Sequence, residues 1–221
     1  KKYFILVSYM AGGLLQLVAY GAQDVYLTSN PQITFFKVVY RRHTNFAMES
    51  IEQTFNGAAK LGQKFSCTIS RNGDLLHKIY LEIDMESAPA PLANMKRLGH
   101  QIIDHVECEI GGQCIDKHYG EWMDIWAQLS SSDEEWTKLD RVINGTLNNS
   151  NSKSKLYVPL QFWFCRNPGL ALPLIALQYH EVKVILTCGP LTKFDTSSVQ
   201  LWADYIYLDT DERRRFAQVS H

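Results

Sequence analysis

Residues 155–190 read KLYVPLQFWFCRNPGLALPLIALQYHEVKVILTCGP, and this stretch decides the fold class. A compact Asn-Pro-Gly turn at 167–169 separates two apolar, β-prone runs. Lys155–Cys165 is rich in Val, Phe, Trp and Tyr. Ile175–Cys188 alternates in part: Leu177, Tyr179, Glu181, Lys183 and Ile185 share one parity, and Ala176, Gln178, His180, Val182, Val184 and Leu186 share the other. Successive side chains of a strand point to opposite faces, so the pattern predicts buried strands joined by polar turns. The stretch carries no nucleophile–base pair and no spaced metal ligands.

The same grammar extends outward in both directions. Phe65, Cys67 and Ile69 alternate within 64–70. Arg71-Asn72-Gly73-Asp74 predicts a turn in which Asn-Gly supplies positive φ. Leu75–Met85 predicts a long strand with Ile79, Leu81, Ile83 and Met85 on one face. Ile102–Ile110, Gly111-Gly112 and Cys114–Tyr119 predict a hairpin, and Val199–Leu208 a last strand. Upstream, Ile33–Tyr40 is β-prone, and Phe46, Ile51 and Phe55 suggest a half-buried strand over Ala47–Asn56. Glu121–Leu129 reads as a helix, because Trp122, Ile125, Trp126 and Leu129 recur at i, i+3, i+4 and i+7. Ser87–Leu92 is a loop, and 130–154 is a polar, exposed excursion with at most one more short helix. The expected fold is all-β: an antiparallel, eight-stranded jelly-roll sandwich with one or a few short helices in its loops.

Composition narrows the function. A chain of 221 residues buries a substantial core, and a net charge of −1 argues against a broad footprint for nucleic acid. The five cysteines form no CxxC pair, which leaves a zinc ribbon or redox motif without support and predicts buried, reduced thiols. Lys1-Lys2 precede an uncharged run from Tyr3 to Ala22 that has the outline of a signal peptide or marginal transmembrane helix. Ser8, Gly12-Gly13 and Gln16 weaken both readings.

Candidate chemistry is sparse. Asp209, Asp211 and Glu212 form an acidic cluster, but no EF-hand loop accompanies it and Arg213, Arg214 and Arg215 compensate it locally. Ion pairing at a strand end, or a subunit contact, is the expected role of these residues. His180-Glu181 begins an HExxH motif that Val184 breaks, and the seven histidines contain no HxH pair. Asp116, Lys117 and His118 offer acid–base groups, yet no GxSxG elbow is present. The expectation is no catalytic residue, no cofactor and no metal. Asn144-Gly-Thr and Asn148-Asn-Ser are glycosylation sequons. Phe162, Trp163 and Phe164 suggest a sugar platform, but consecutive strand positions face opposite ways, which favours core and packing interface.

Five long segments then resemble one family. They are AGGLLQLVAYGAQDVYLTSNPQITFFKVVYRRHTNFAMESIEQTFNG (11–57), ISRNGDLLHKIYL (69–81), VECEIGGQCIDKHYGEW (106–122), LYVPLQFWFCRNPGLALPLIALQYHEVKV (156–184) and WADYIYLDTDERRRFAQVSH (202–221). Together they are similar to the major capsid protein of nucleocytoplasmic large DNA viruses, in particular the mimivirus-like and algal-virus branches. The resemblance implies a double jelly roll whose trimers are pseudo-hexagonal capsomers. It implies that residues 1–27 are an N-terminal extension and arm and that 28–221 form the first roll, with the second roll absent from this chain. Met10 coincides with the family's usual start, so 1–9 read as an extension, and the run from Ala11 becomes the family's N-terminal segment beneath the capsomer.

The implied function is a structural subunit of an icosahedral virion, not an enzyme, made in the host cytoplasm. Its implied partners are other capsid protein copies in a homotrimer and minor capsid proteins, with an internal membrane nearby and no direct nucleic acid. Arg213, Arg214, Arg215 and Phe216 would lie at the inter-roll or subunit contact. A carbohydrate-binding jelly-roll module is the alternative, and it requires a solvent-exposed aromatic row. A cupin-like enzyme would need the missing HxH.

Overall fold

The computed structural model describes residues 44–56, 63–85, 97–144, 154–189 and 196–219. The arm at 1–27, the run at 33–40, the loop at 87–92 and Asn148 lie outside the described residues. Among the described residues the strands are β1 (Phe46–Gln53), β2 (Phe55–Asn56), β3 (Lys64–Thr68), β4 (Leu75–Met85), β5 (Ile103–Ile110), β6 (Gln113–Tyr119), β7 (Ser154–Pro159), β8 (Leu172–Pro173), β9 (Val182–Cys188) and β10 (Thr196–Leu208). The helices are α1 (Leu98–Ile102), α2 (Gly120–Ser130), α3 (Asp133–Asn144), α4 (Trp163–Arg166) and α5 (Thr210–Val219).

Alternation makes the strands and the strands make two sheets. On β9, Val182, Val184, Leu186 and Cys188 are buried while Lys183, Ile185 and Thr187 are half-exposed. One sheet runs β1-β10-β4-β7 with β8 on β4, the other β2-β3-β9-β5-β6, and every pairing is antiparallel. β1 and β2 are separated only by Thr54 yet belong to different sheets, so the chain crosses between them there. Strand β1 beside β10 and β3 beside β9 are the long-range neighbours of a jelly roll. The core lies between the sheets, built from Phe65 and Cys67 of β3, Leu81 and Ile83 of β4, Val106 and Cys108 of β5, and Leu201, Ala203 and Tyr205 of β10. On β4 the pairing shifts between Ile79 and Leu76, and this bulge turns both residues inward.

Several local expectations change. Lys155–Cys165 is not one strand. β7 ends at Pro159, Leu160 N–H donates to Ile79 O at 2.9 Å, and the chain turns into α4. Phe164 and Cys165 are both buried, which neighbouring strand positions cannot do on one face but a helical turn can. The second run also starts late: Ile175–His180 are turns, and the strand begins at Val182. Arg71 holds those turns by donating to the carbonyl oxygens of Leu177 at 2.7 Å, His180 at 3.1 Å and Gln178. Gly73 does not adopt positive φ, whereas Gly111 and Gly112 of the β5–β6 hairpin do. The reason for glycine at 73 is close approach, since a Cβ there would sit 2.7 Å from Tyr205 Cβ. On β1, Ala47 and Gln53 are buried while Phe46 points out, 58% exposed.

Helix α3 occupies the polar excursion. Ser132 and Glu135 start it with a reciprocal cap, Ser132 N–H donating to Glu135 Oε2 at 3.0 Å and Glu135 N–H to Ser132 Oγ at 3.4 Å. Most of α3 is exposed, and Ile143 alone among its residues is buried.

Candidate assembly surfaces

Helix α2 forms where the sequence places it, but it buries the other face. Gly120, Met123 and Ala127 point inward. Trp122 is 38%, Ile125 50% and Leu129 77% exposed. The cause is local. A Cβ on Gly120 would meet His100 O at 2.1 Å and Ile103 O at 2.3 Å, so the helix start is pressed onto the backbone of α1 and β5. That contact sets the rotation of the helix, and Met123 and Ala127 follow it inward one and two turns later. The apolar stripe is left outside. Arg166 lies over the Trp126 ring at 4.3 Å, and Trp122 and Trp126 are 5.9 Å apart. On β6, the edge strand that leads into α2, Ile115 and Tyr119 are each about half exposed.

Helix α5 shows the opposite arrangement. Its first turn is held where Asp209 Oδ1 accepts from Thr210 N–H at 2.7 Å and Asp209 O accepts from Arg213 N–H at 2.9 Å. Arg213 Nε lies 3.0 Å from Asp74 Oδ1, and Arg215 Nη1 lies 2.9 Å from Glu212 Oε1. Arg214 is exposed, and among the described residues no carboxylate lies within ion-pair distance of it. Phe216 is half-buried against the cluster of Leu75, Ile206 and Leu208, on the outer face of the β4–β10 pair. Asp209 and Glu212 of the acidic cluster are thus engaged in a local cap and ion pair, and Asp211 is exposed. Among the described residues no group of three or more His, Cys, Asp or Glu side chains converges in metal-binding geometry.

The remaining polar groups serve the fold. His118 is buried with its ring edge-on to Phe162, and burial pushes its imidazole down to about 4. Burial also lowers His100, against the opposing pull of Asp124 at 3.7 Å. His77 Nδ1 sits 3.0 Å from Phe164 O. Burial raises the thiols of Cys67 to about 11 and of Cys108 and Cys165 to about 12, so none is a ready nucleophile. Cys165 lies on α4 rather than on a strand. Lys117 pairs with Glu107 at 3.1 Å, leaving Asp116, Lys117 and His118 as neighbours without a shared task. A groove of about 730 Å³ at α1 and α2 is lined by Arg97, His100, Asp104, Glu121 and Asp124, and Asp124 is bound to Arg97.

Asn144 is the last residue of α3. Its Oδ1 accepts from Leu98 N–H at 3.0 Å and its Nδ2 donates to Asp140 Oδ1 at 2.8 Å. These bonds tie α3 to α1 and occupy the amide nitrogen a glycan would use. Phe162 and Phe164 are fully buried and stacked at 5.5 Å, and Trp163 packs partly buried against the core, so they form no sugar platform. Gly120 and Asp74 are the residues that sequence reading missed. The one available signal was a glycine at the junction of a strand pattern and a helix pattern.

A family model described as the major capsid protein N-terminus matches residues 34–209. The chain is 58% identical to the major capsid protein of Pyramimonas orientalis virus, over 96% of this chain and 57% of that protein. It is 47% identical to capsid protein 1 of Acanthamoeba polyphaga mimivirus, over 96% of this chain and 42% of that protein. Among solved structures, PBCV-1 VP54, fitted into a reconstruction of the virophage Sputnik, superposes with a TM-score of 0.75 at 42% identity, covering 84% of this chain and 48% of that one. The chain therefore spans about half the length of the relatives it matches.

Proposed function

The chain belongs to the viral major capsid protein family, and from that premise we propose that it is a structural subunit of an icosahedral capsid shell. Residues 28–221 act as the first roll of a double jelly roll, and residues 1–27 as its N-terminal arm. Three copies of the two-roll protein close into a pseudo-hexagonal capsomer. Other capsid protein copies are the main partners, with minor capsid proteins joining them and an internal membrane nearby. The virion is the site of action and the host cytoplasm the site of synthesis. No catalysis and no direct nucleic-acid contact belong to this reading. Of the two sequons, Asn148 is the better acceptor, because the Asn144 amide is engaged.

The observation that carries the proposal is the outward stripe of Trp122, Ile125 and Leu129. An apolar helix face turned to solvent beside an edge strand is what a subunit contact needs, and assembly through buried area requires no chemistry. Arg214, exposed and without an ion pair among the described residues, is the member of the arginine run placed to reach a neighbour. Electron microscopy and light scattering of the complete open reading frame's product test the reading. Hexagonal particles of three-copy mass are expected. A monodisperse monomer at micromolar concentration would overturn it.

A further inference from the structure

We infer that Asp74 is a positioning residue: it fixes the direction in which α5 leaves the roll and so, resting on the capsid reading, the placement of the domain that follows. Asp74 is 7% exposed, in the turn between β3 and β4. It joins four parts of the molecule. Its N–H donates to Ile206 O at 3.1 Å, and its carbonyl accepts from Ile175 N–H at 3.3 Å. Its Oδ2 accepts from Leu208 N–H at 2.8 Å, at the last residue of β10. Its Oδ1 lies 3.0 Å from Arg213 Nε, in the first turn of α5. One carboxylate thus grips both the strand end and the helix start, across Asp209, the single residue that links them. Phe216 supplies a second anchor one turn further on, against Leu75, Ile206 and Leu208. Two anchors on one side of a short helix set both its tilt and its rotation. Gly73 lets this turn approach, since any side chain there would strike Tyr205.

The residues of the arginine run therefore divide. Arg213 and Phe216 hold the helix to its own roll, Arg215 is paired within the helix, and Arg214 faces away. Arg213 and Asp74 act on assembly without touching the partner.

Arg213→Ala, Arg213→Lys and Arg214→Ala separate these roles in the complete protein. Arg213 is half-exposed, so its removal leaves the roll folded. Amide exchange over 210–219 is expected to quicken about fivefold in Arg213→Ala, to recover part-way in Arg213→Lys, and to stay at the wild-type rate in Arg214→Ala. Trimer yield is expected to fall in Arg213→Ala in step with that exchange. Asp74→Asn, which keeps an acceptor for Leu208 N–H, should repeat the Arg213→Ala result. Unchanged exchange in Arg213→Ala, or loosened exchange with full trimer yield, overturns the inference. If the wild-type protein forms no trimer, the capsid reading fails, and the exchange arm still decides whether Asp74 clamps the helix.

Discussion

Helices α2 and α5 are mounted by opposite means. α2 is held by its backbone, where Gly120 presses on two carbonyl oxygens, and it turns its most apolar face to solvent. α5 is held by side chains, with Arg213 on Asp74 and Phe216 on an apolar ledge, and it turns its polar face out. A helix's own apolar periodicity therefore does not choose the face it buries. The tightest contact chooses it. Where that contact overrules the periodicity, the stranded apolar stripe marks a surface that another chain can cover.

Gly120→Val carries the largest expected effect. No side chain fits between Gly120 and the carbonyl oxygens of His100 and Ile103 without moving α1 or the start of β5. A loss of at least about 4 kcal/mol, or failure to fold, is expected in chemical denaturation. A variant of near wild-type stability would show that the backbone contact does not set the helix. Met123→Ala is the next in size. Met123 is fully buried on the inner face of α2, and its truncation is expected to cost about 3 kcal/mol. A cost under about 1 kcal/mol would mean that the inner face is the wrong one.

Legibility followed the same divide. Period two was reliable wherever both sheet faces had determined partners. Phe65, Cys67 and Ile69 are buried as read, and Val199, Leu201, Ala203, Tyr205 and Tyr207 line the core side of β10. The fold class, an antiparallel jelly-roll sandwich, followed from those strands and their number; which strand pairs with which came only from the structure. Period three and a half was reliable for the existence of α2 but not for its face, because Gly120's neighbours come from elements twenty or so residues earlier. Lys155–Cys165 misled because aromatic content alone does not distinguish a strand from a buried helical turn. The Asn72-Gly73 dipeptide marked a real turn for the wrong reason: crowding by Tyr205, a residue distant in sequence, demands the glycine. Asp74 was invisible as a clamp, since its partners Leu208 and Arg213 come from the far end of the chain.

A change of pH probes β6, the strand that leads into α2. His118 of β6 is buried, and burial pushes its folded pKa down to about 4, with Asp116 opposing and Arg166 acting in the same direction. The unfolded imidazole titrates near 6.5, at about that value in any exposed chain. The neutral form is the one that fits, so its contribution is complete above about pH 6.5 and is lost as pH falls toward 4. Between pH 7 and pH 4.5 the expected loss from this one group is about 2 kcal/mol. His100, also lowered, acts in the same direction. Urea midpoints at the two pH values measure the loss, and His118→Phe should flatten the dependence. An equal slope in the variant would assign the acid sensitivity elsewhere.

Leu129→Ser has the smallest expected effect on stability and the most to say about the outer face. Leu129 is 77% exposed, so its side chain contributes little to the fold of the isolated roll. A stability change within about 0.5 kcal/mol is expected, as for surface positions in general. The same substitution removes apolar area from the stripe that we propose a neighbouring subunit covers. Burial of a leucine is worth about 2 kcal/mol, which corresponds to roughly a thirtyfold weakening per contact. In the complete protein, the concentration at which the proposed trimer dissociates should rise by at least about that factor, while the urea midpoint of the separated subunit stays fixed. A Met123→Ala variant should do the reverse at concentrations where assembly persists, lowering the midpoint and leaving the contact chemistry intact. If Leu129→Ser lowers stability as Met123→Ala does, the stripe is part of the core after all. If it changes neither stability nor assembly, α2 is exposed without being an interface, and the contrast between the two helices loses its functional meaning.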